Sequence, residues 1–149
     1  MQWIGKKFNE LSAEELYTVL RLRSDIFVVE QNCVFLDMDN KDQDSYHLMG
    51  WKDGHLAAYA RILPAGISYV ESSIGRIVTS RSARREGIGR MLVQQSIQLL
   101  YTLHGKRAIR IGAQYYLKKF YESFGFLQTG DIYIEDGIEH IEMLLSPAA

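Results

Sequence analysis

The chain has 149 residues, 47% of them hydrophobic and 23% charged, with a formal net charge of -1. That length and balance fit a single domain over residues 1–149 with a proper core, and argue against a disordered chain. The near-zero charge gives no global field to recruit nucleic acid or an anionic membrane, and no apolar run approaches the roughly 20 residues of a transmembrane helix.

Cys33 is the only cysteine, so no intrachain disulfide can form, and a reducing, cytoplasmic setting is expected. The first residues run into strand and helix patterns without an apolar signal segment. Residues 3–8 are expected as a short strand. Ser12-Ala-Glu-Glu15 has capping-box spacing, a hydroxyl for the first free amides and a glutamate three residues later. Leu16, Val19, Leu20 and Phe27 follow at helical spacing and predict an amphipathic helix to about Phe27. Residues 31–45, with Asp37, Asp39, Asp42 and Asp44, read as a solvated acidic loop holding at most a helical turn.

Residues 47–51 and 56–63 are strand-like runs about Lys52-Asp53-Gly54, which predicts a hairpin. Pro64-Ala65-Gly66 ends the second run, and a strand at 73–79 follows the apolar stretch 67–70. Ile88, Met91, Leu92, Leu99 and Leu103 fall at helical spacing, with Gly105 suited to the position just past a helix end. A strand at 107–112, a short helix at 115–124 closed by Gly125, and a hairpin of 126–134 with 138–145 complete the chain. The order β-α-β-β-β-α-β-α-β-β predicts an α/β domain built on a mixed sheet.

Arg84-Arg-Glu-Gly87-Ile-Gly89 lies between a strand and a helix. At a helix N-terminus several backbone N–H groups lack intrahelical partners and the dipole adds positive charge, so a diphosphate can be held there. Glycines at 87 and 89 let the backbone around Ile88 approach closely, and Arg81, Arg84, Arg85 and Arg90 can add charge-assisted contacts. The third glycine of the dinucleotide fingerprint is absent, and no Gly-Lys-Ser/Thr of a P-loop follows.

A second segment reads Gln114-Tyr-Tyr-Leu117-Lys-Lys-Phe120-Tyr121-Glu-Ser-Phe-Gly125-Phe126. Together the two segments resemble the GNAT family of acetyltransferases. Its cofactor loop, Arg/Gln-x-x-Gly-x-Gly/Ala, is matched at Arg84, Gly87 and Gly89; in its second motif Gln114 takes an Asn position, Phe120-Tyr121 a Leu-Tyr pair and Gly125-Phe126 the end. Phe27-Val-Val-Glu-Gln31, Cys33, the acidic 37–44 stretch, His47 and Glu135-Asp-Gly-Ile-Glu-His140 extend the resemblance to the ElaA-like branch, over nearly the whole chain. Two positions depart from that pattern: Arg85 replaces the usual glycine after Arg84, and Val34 a common proline.

The resemblance implies a GNAT-like, mostly antiparallel sheet of about six to seven strands flanked by three to four helices. It implies acetyl-CoA as co-substrate and direct attack by an amine, small molecule or protein, with positioning supplying much of the rate. Ile77, Val78 and Thr79 would pair with the pantetheine arm through backbone groups. Arg84, Arg85, Gly87, Ile88, Gly89, Arg90 and Gln114 would line the cofactor site, and a backbone N–H would polarise the thioester carbonyl. Tyr121 is the implied general acid for the leaving thiolate, a phenol of pKa about 10 being matched to that task.

Glu30, His47, Glu71 and His140 are candidate bases. The acidic segment could attract a cationic amine, but it lacks the glycine and glutamate of an EF-hand and no metal is expected. Cys33 has no activating base nearby in sequence and is expected to be structural or to line the acceptor site. A homodimer is compatible with the Tyr-rich and apolar strand ends. Two other readings share the loop: a non-catalytic acetyl-CoA-binding or sensing module, and a small nucleotide-binding regulator.

Overall fold

The computed structural model describes residues 1–147. In chain order it contains β1 (Gln2–Lys7), α1 (Ala13–Arg23), a π-helical segment (Ser24–Glu30), β2 (Tyr46–Lys52), β3 (His55–Leu63) and β4 (Ser73–Thr79). α2 (Ile88–His104), β5 (Ile109–Gln114), α3 (Lys118–Glu122), β6 (Leu127–Glu135) and β7 (Ile138–Leu145) follow. The strand and helix order is the one expected, with boundaries shifted by a few residues.

The start of α1 is fixed locally. Glu15 N–H donates to Ser12 Oγ at 3.0 Å, and Ser12 N–H donates to Glu15 Oε1 at 2.8 Å, so the capping box closes in both directions. The far end differs from expectation. The chain does not stop near Phe27 but widens, with Gln31 N–H donating to Ile26 O at 3.1 Å and Cys33 N–H to Val28 O at 3.1 Å. Five-residue spacing is characteristic of π-helix and is frequent at functional sites.

The strands form two antiparallel sheets, β1-β2-β3-β4 and β5-β7-β6. They meet at one parallel bridge, Ser72 to Ile109, where Arg110 N–H donates to Ser72 O at 3.0 Å. Beyond that bridge β4 and β5 part. β4 also carries a bulge: Tyr59 pairs with Val78 but Arg61 with Gly75, and Arg76 between them has φ of 48°. An extra residue of this kind bends the strand and breaks its ladder.

Strand alternation sorts the core onto two faces. Leu48, Ala58, Ala60 and Ile62 face α2, whose Ile88, Leu92, Val93 and Leu100 are buried against them. Met49, Tyr59 and Val78 point the other way and meet Val19, Leu22 and Ile26. Each fully buried aliphatic chain contributes roughly 1.5–3 kcal/mol, so this packing, more than helix propensity, holds α2 in place.

The acidic 37–44 stretch departs from the expected solvated loop. Asp37 and Asp42 are buried. Arg23, fully buried at the end of α1, donates from Nε to Asp37 and from Nη1 to Asp42, both at 2.8 Å. Arg61 donates from Nη1 to Asp42 at 3.0 Å and to Asp39 at 2.7 Å, and Arg76 from Nε to Asp37 at 2.8 Å. Three aspartates and three arginines thus neutralise one another. Removing carboxylates from water is tolerable only with such partners.

Candidate active site

Where β4 and β5 part, a cleft of about 470 Å³ opens. Residues 74–79 form one wall and residues 111–114 the other, with Phe27 and Glu30 of the π-helical segment and Gln31, just past its end, alongside. Ile77, Val78, Thr79, Arg84, Gln114, Tyr121, Glu30 and His140 all line it. The structure therefore brings eight of the sequence-derived site residues to one space.

Tyr121 comes from α3 and is 5% exposed. Its ring packs edge-on against Phe120 and Phe126, at 5.2 Å and 6.0 Å between centroids. Burial pushes its phenol well above the usual tyrosine range, so it keeps its proton at neutral pH. Gln114 ends β5 and donates from Nε2 to Gln31 Oε1 at 3.4 Å, tying that wall to the π-helical segment. His140 lies opposite Gln114 in the β5–β7 register. Its Nδ1 is 2.8 Å from Ile138 O, and its ring stacks on Tyr133 at 5.7 Å.

Glu30 is held by the cofactor loop. Its carboxylate takes N–H groups from both terminal nitrogens of Arg84, at 2.7 Å from Nη1, and Arg81 Nε lies 3.6 Å away. Arg84 thereby lowers the Glu30 carboxyl, which fits poorly with a general base.

The rest of the loop sits at the start of α2. Gly87 is the residue before the helix, in the left-handed conformation at φ 73°, and a Cβ added there would meet nothing within 4 Å. Met91 N–H donates to Gly87 O at 3.3 Å, leaving the amides of 87–90 without partners inside the helix. A Cβ at Gly89 would lie 3.9 Å from Thr79 Cγ2, so the helix start abuts the end of β4. The buried Ile88 anchors that turn in the core. Free amides, an open cradle and Arg84 suit a diphosphate. Arg85 is exposed, with φ of 68°.

Other residues lie elsewhere. Arg90 stacks over Phe124 at 4.5 Å and donates to Ser123 Oγ at 3.0 Å, turning it toward α3. Arg81 is paired with Asp25. Glu71 is held by Arg110 at 3.0 Å, outside the cleft. His47 is a correction to the candidate bases: fully buried, it is 2.7 Å from Tyr59 Oη through Nδ1 and 2.9 Å from Asp42 O through Nε2, and it does not reach the cleft. Cys33 lines the cleft, 3.4 Å from Asp136 O.

The Arg76 bulge and the π-helical segment lie outside what the residue pattern predicts. Gly75 inside a strand pattern is the one sequence sign of the first. The second has none, because the apolar spacing that marks a helix does not distinguish π from α geometry.

Two sheets splayed about a bulged strand, with a helix N-terminus at the head of the gap, define a GNAT-type acyltransferase fold. The family model described as "Acetyltransferase (GNAT) domain" matches residues 26–147. The chain belongs to the GNAT family, in its ElaA-like branch. The UPF0039 protein sll0451 of Synechocystis sp. is 41% identical over 97% of this chain and 94% of its own length. Protein ElaA of Escherichia coli is 39% identical over 96% of this chain and 95% of its own, and its crystal structure superposes with a TM-score of 0.91, covering 97% and 99%. The crystal structure of an acyl-CoA N-acyltransferase from Pseudomonas aeruginosa superposes with a TM-score of 0.92 at 36% identity, covering 98% of this chain and all of that one.

Proposed function

We propose that the chain is an N-acetyltransferase that moves an acetyl group from acetyl-CoA to a primary amine by direct attack. The observation that carries this reading is one cleft lined by the bulged β4, Arg84 and the buried Tyr121, with the start of α2 and its free amides abutting the end of β4. The amides of residues 87–90 and Arg84 hold the diphosphate, and the backbone of Ile77, Val78 and Thr79 guides the pantetheine arm. Gln114 supports the opposite wall, while Arg85 adds positive charge at the surface. Arg90, engaged with α3, serves that arrangement through packing.

In the reaction the amine nitrogen attacks the thioester carbon, the C–S bond breaks, and Tyr121 gives the thiolate its proton. His140 and Glu30 border the path of the amine, with His140 the better placed to accept a proton. The lone Cys33 fits a reducing, cytoplasmic setting; among the described residues no helix is long and apolar enough to cross a membrane.

Titration calorimetry with acetyl-CoA, CoA and ADP tests the cofactor, and binding that requires the pantetheine arm is expected. Tyr121→Phe should then lower kcat by about a hundredfold while leaving acetyl-CoA affinity unchanged. A folded protein that does not bind acetyl-CoA would sink the reading.

A further inference from the structure

A second cavity, also of about 470 Å³, lies on the other side of the β4 bulge. It shares Gly75, Arg76, Gly112, Glu135 and Asp136 with the cofactor cleft, so the two spaces meet there. Gly112 is the position of closest approach. A Cβ added to it would come within 2.9 Å of both the Tyr133 and the Tyr69 hydroxyls. These tyrosines come from different segments. Tyr133 follows the irregularity in β6, and Tyr69 lies in the loop where its own carbonyl accepts from Gly66 N–H at 2.7 Å. Two hydroxyls converge over a backbone position that only glycine can occupy without displacing them.

The backbone of Gly112 is open as well. Arg110 N–H crosses the gap to Ser72, and the two-residue period of a strand aims the Gly112 N–H and C=O the same way, past the last bridge between β5 and β4. The charges around this junction are unequal. The three aspartates and three arginines of the network cancel, and Lys41, whose ammonium donates to Ser68 Oγ at 3.0 Å, is the one further cation lining the second cavity. Against it stand Glu135 and Asp136, neither paired with lysine or arginine among the described residues, although Glu135 lies 3.5 Å from His140 Nε2. Both phenols remain protonated at neutral pH: burial raises Tyr69, and burial with Tyr69, Glu135 and Glu142 pushes Tyr133 up to about 12.

We propose that Tyr69 and Tyr133, converging over Gly112, orient the acceptor's amino group, and that the acceptor is a cationic amine drawn through the second cavity by Glu135 and Asp136. This rests on the acetyltransferase reading of the same site. An ammonium arriving there gives one proton to His140, which passes it to solvent, and the neutral nitrogen is held by the hydroxyls and the Gly112 carbonyl. Its lone pair forms the C–N bond as the C–S bond breaks, Tyr121 protonates the thiolate, and the nitrogen's surplus proton returns the Tyr121 phenolate to its neutral form. A second positive charge on the acceptor stays with Glu135. Two hydroxyls and a carbonyl fix the direction of one small group, which is the positioning that direct transfer requires.

Three probes of equal length test this: 1,4-diaminobutane, 4-aminobutan-1-ol and 4-aminobutanoate, assayed by thiol release with acetyl-CoA. The wild type should prefer them in that order. Tyr69→Phe and Tyr133→Phe, each checked for an unchanged melting curve, should raise KM for the diamine about tenfold while calorimetry finds acetyl-CoA affinity within twofold. Glu135→Gln should compress the gap between diamine and amino alcohol, a change that a purely structural role would not produce. Equal or reversed use of 4-aminobutanoate, no turnover of any probe by a protein that binds acetyl-CoA, or tyrosine variants that alter only acetyl-CoA binding would each overturn the proposal. Failure of the wild type to bind acetyl-CoA would instead overturn the reading beneath it.

Discussion

The Glu30 carboxylate and the Arg84 guanidinium are joined as a fork on a fork, both oxygens taking an N–H across the cleft that both residues line. Arg84 is also the side chain assigned to the diphosphate, and it cannot serve both partners in full. Bidentate pairing of this type is among the stronger exposed interactions. Glu30→Gln is therefore expected to tighten acetyl-CoA binding by about three- to tenfold, because the arginine no longer leaves an anion to meet the ligand. Calorimetry at low and high salt checks it, and the gain should shrink as salt screens the competing pair. Weaker binding would show that Glu30 presents Arg84 rather than competing for it.

The Arg–Asp network predicts how the fold meets acid. Burial alone would raise the Asp42 carboxyl, but hydrogen bonds and charge from Arg23 and Arg61 outweigh it and hold it below the ordinary range. A folded-state value below the unfolded one means that this stability is complete above about pH 4 and is lost as pH falls through the folded value. Melting temperature should drop steeply on that acid limb. Asp42→Ala, which leaves two buried guanidiniums short of a partner, should cost about 3–5 kcal/mol by urea unfolding at pH 7.

His47 gives a separate signature at milder pH. Burial lowers it below the usual histidine value, and its two ring nitrogens are already engaged by Tyr59 and Asp42. The folded state therefore favours the neutral ring. Its contribution is complete above about pH 6.5 and is lost as pH falls below that toward the lower folded value. In His47→Gln the change in unfolding free energy between pH 7 and pH 5 should flatten, whereas a folded sample should keep its acetyl-CoA affinity. Loss of that affinity would bring the histidine back into the site.

Arg85 stands at φ 68°, in a region that disfavours side chains. Its substitution by glycine should relieve that strain and raise stability by about 1 kcal/mol. Chemical denaturation measures it directly. A destabilised Arg85→Gly would mean that the side chain makes a compensating contact at the surface.

Much of this molecule is legible along the chain because its signals are local. Ser12 and Glu15 cap α1 through atoms three residues apart, and the apolar spacing from Ile88 onward marks the face of α2 that is buried. Gly87 and Gly89 mark the start of that helix, where the chemistry of free amides follows from geometry alone. Tyr121 and Gln114 could be named from their segment, and both line the cleft.

What the chain order could not decide is which groups meet across long separations. Asp37 and Asp42 look like solvated charges until Arg23, Arg61 and Arg76, brought in by α1, β3 and β4, neutralise them in the interior. His47 has the chemistry of a base, and only the packing of Tyr59 and Asp42 around it removes it from the cleft. Tyr69, Gly112 and Tyr133 carry no motif, yet the loop and two strands set their polar atoms within reach of one point. Periodicity and capping are fixed by neighbours in sequence. Ion pairing, burial and convergence depend on the distances that only the folded sheets impose.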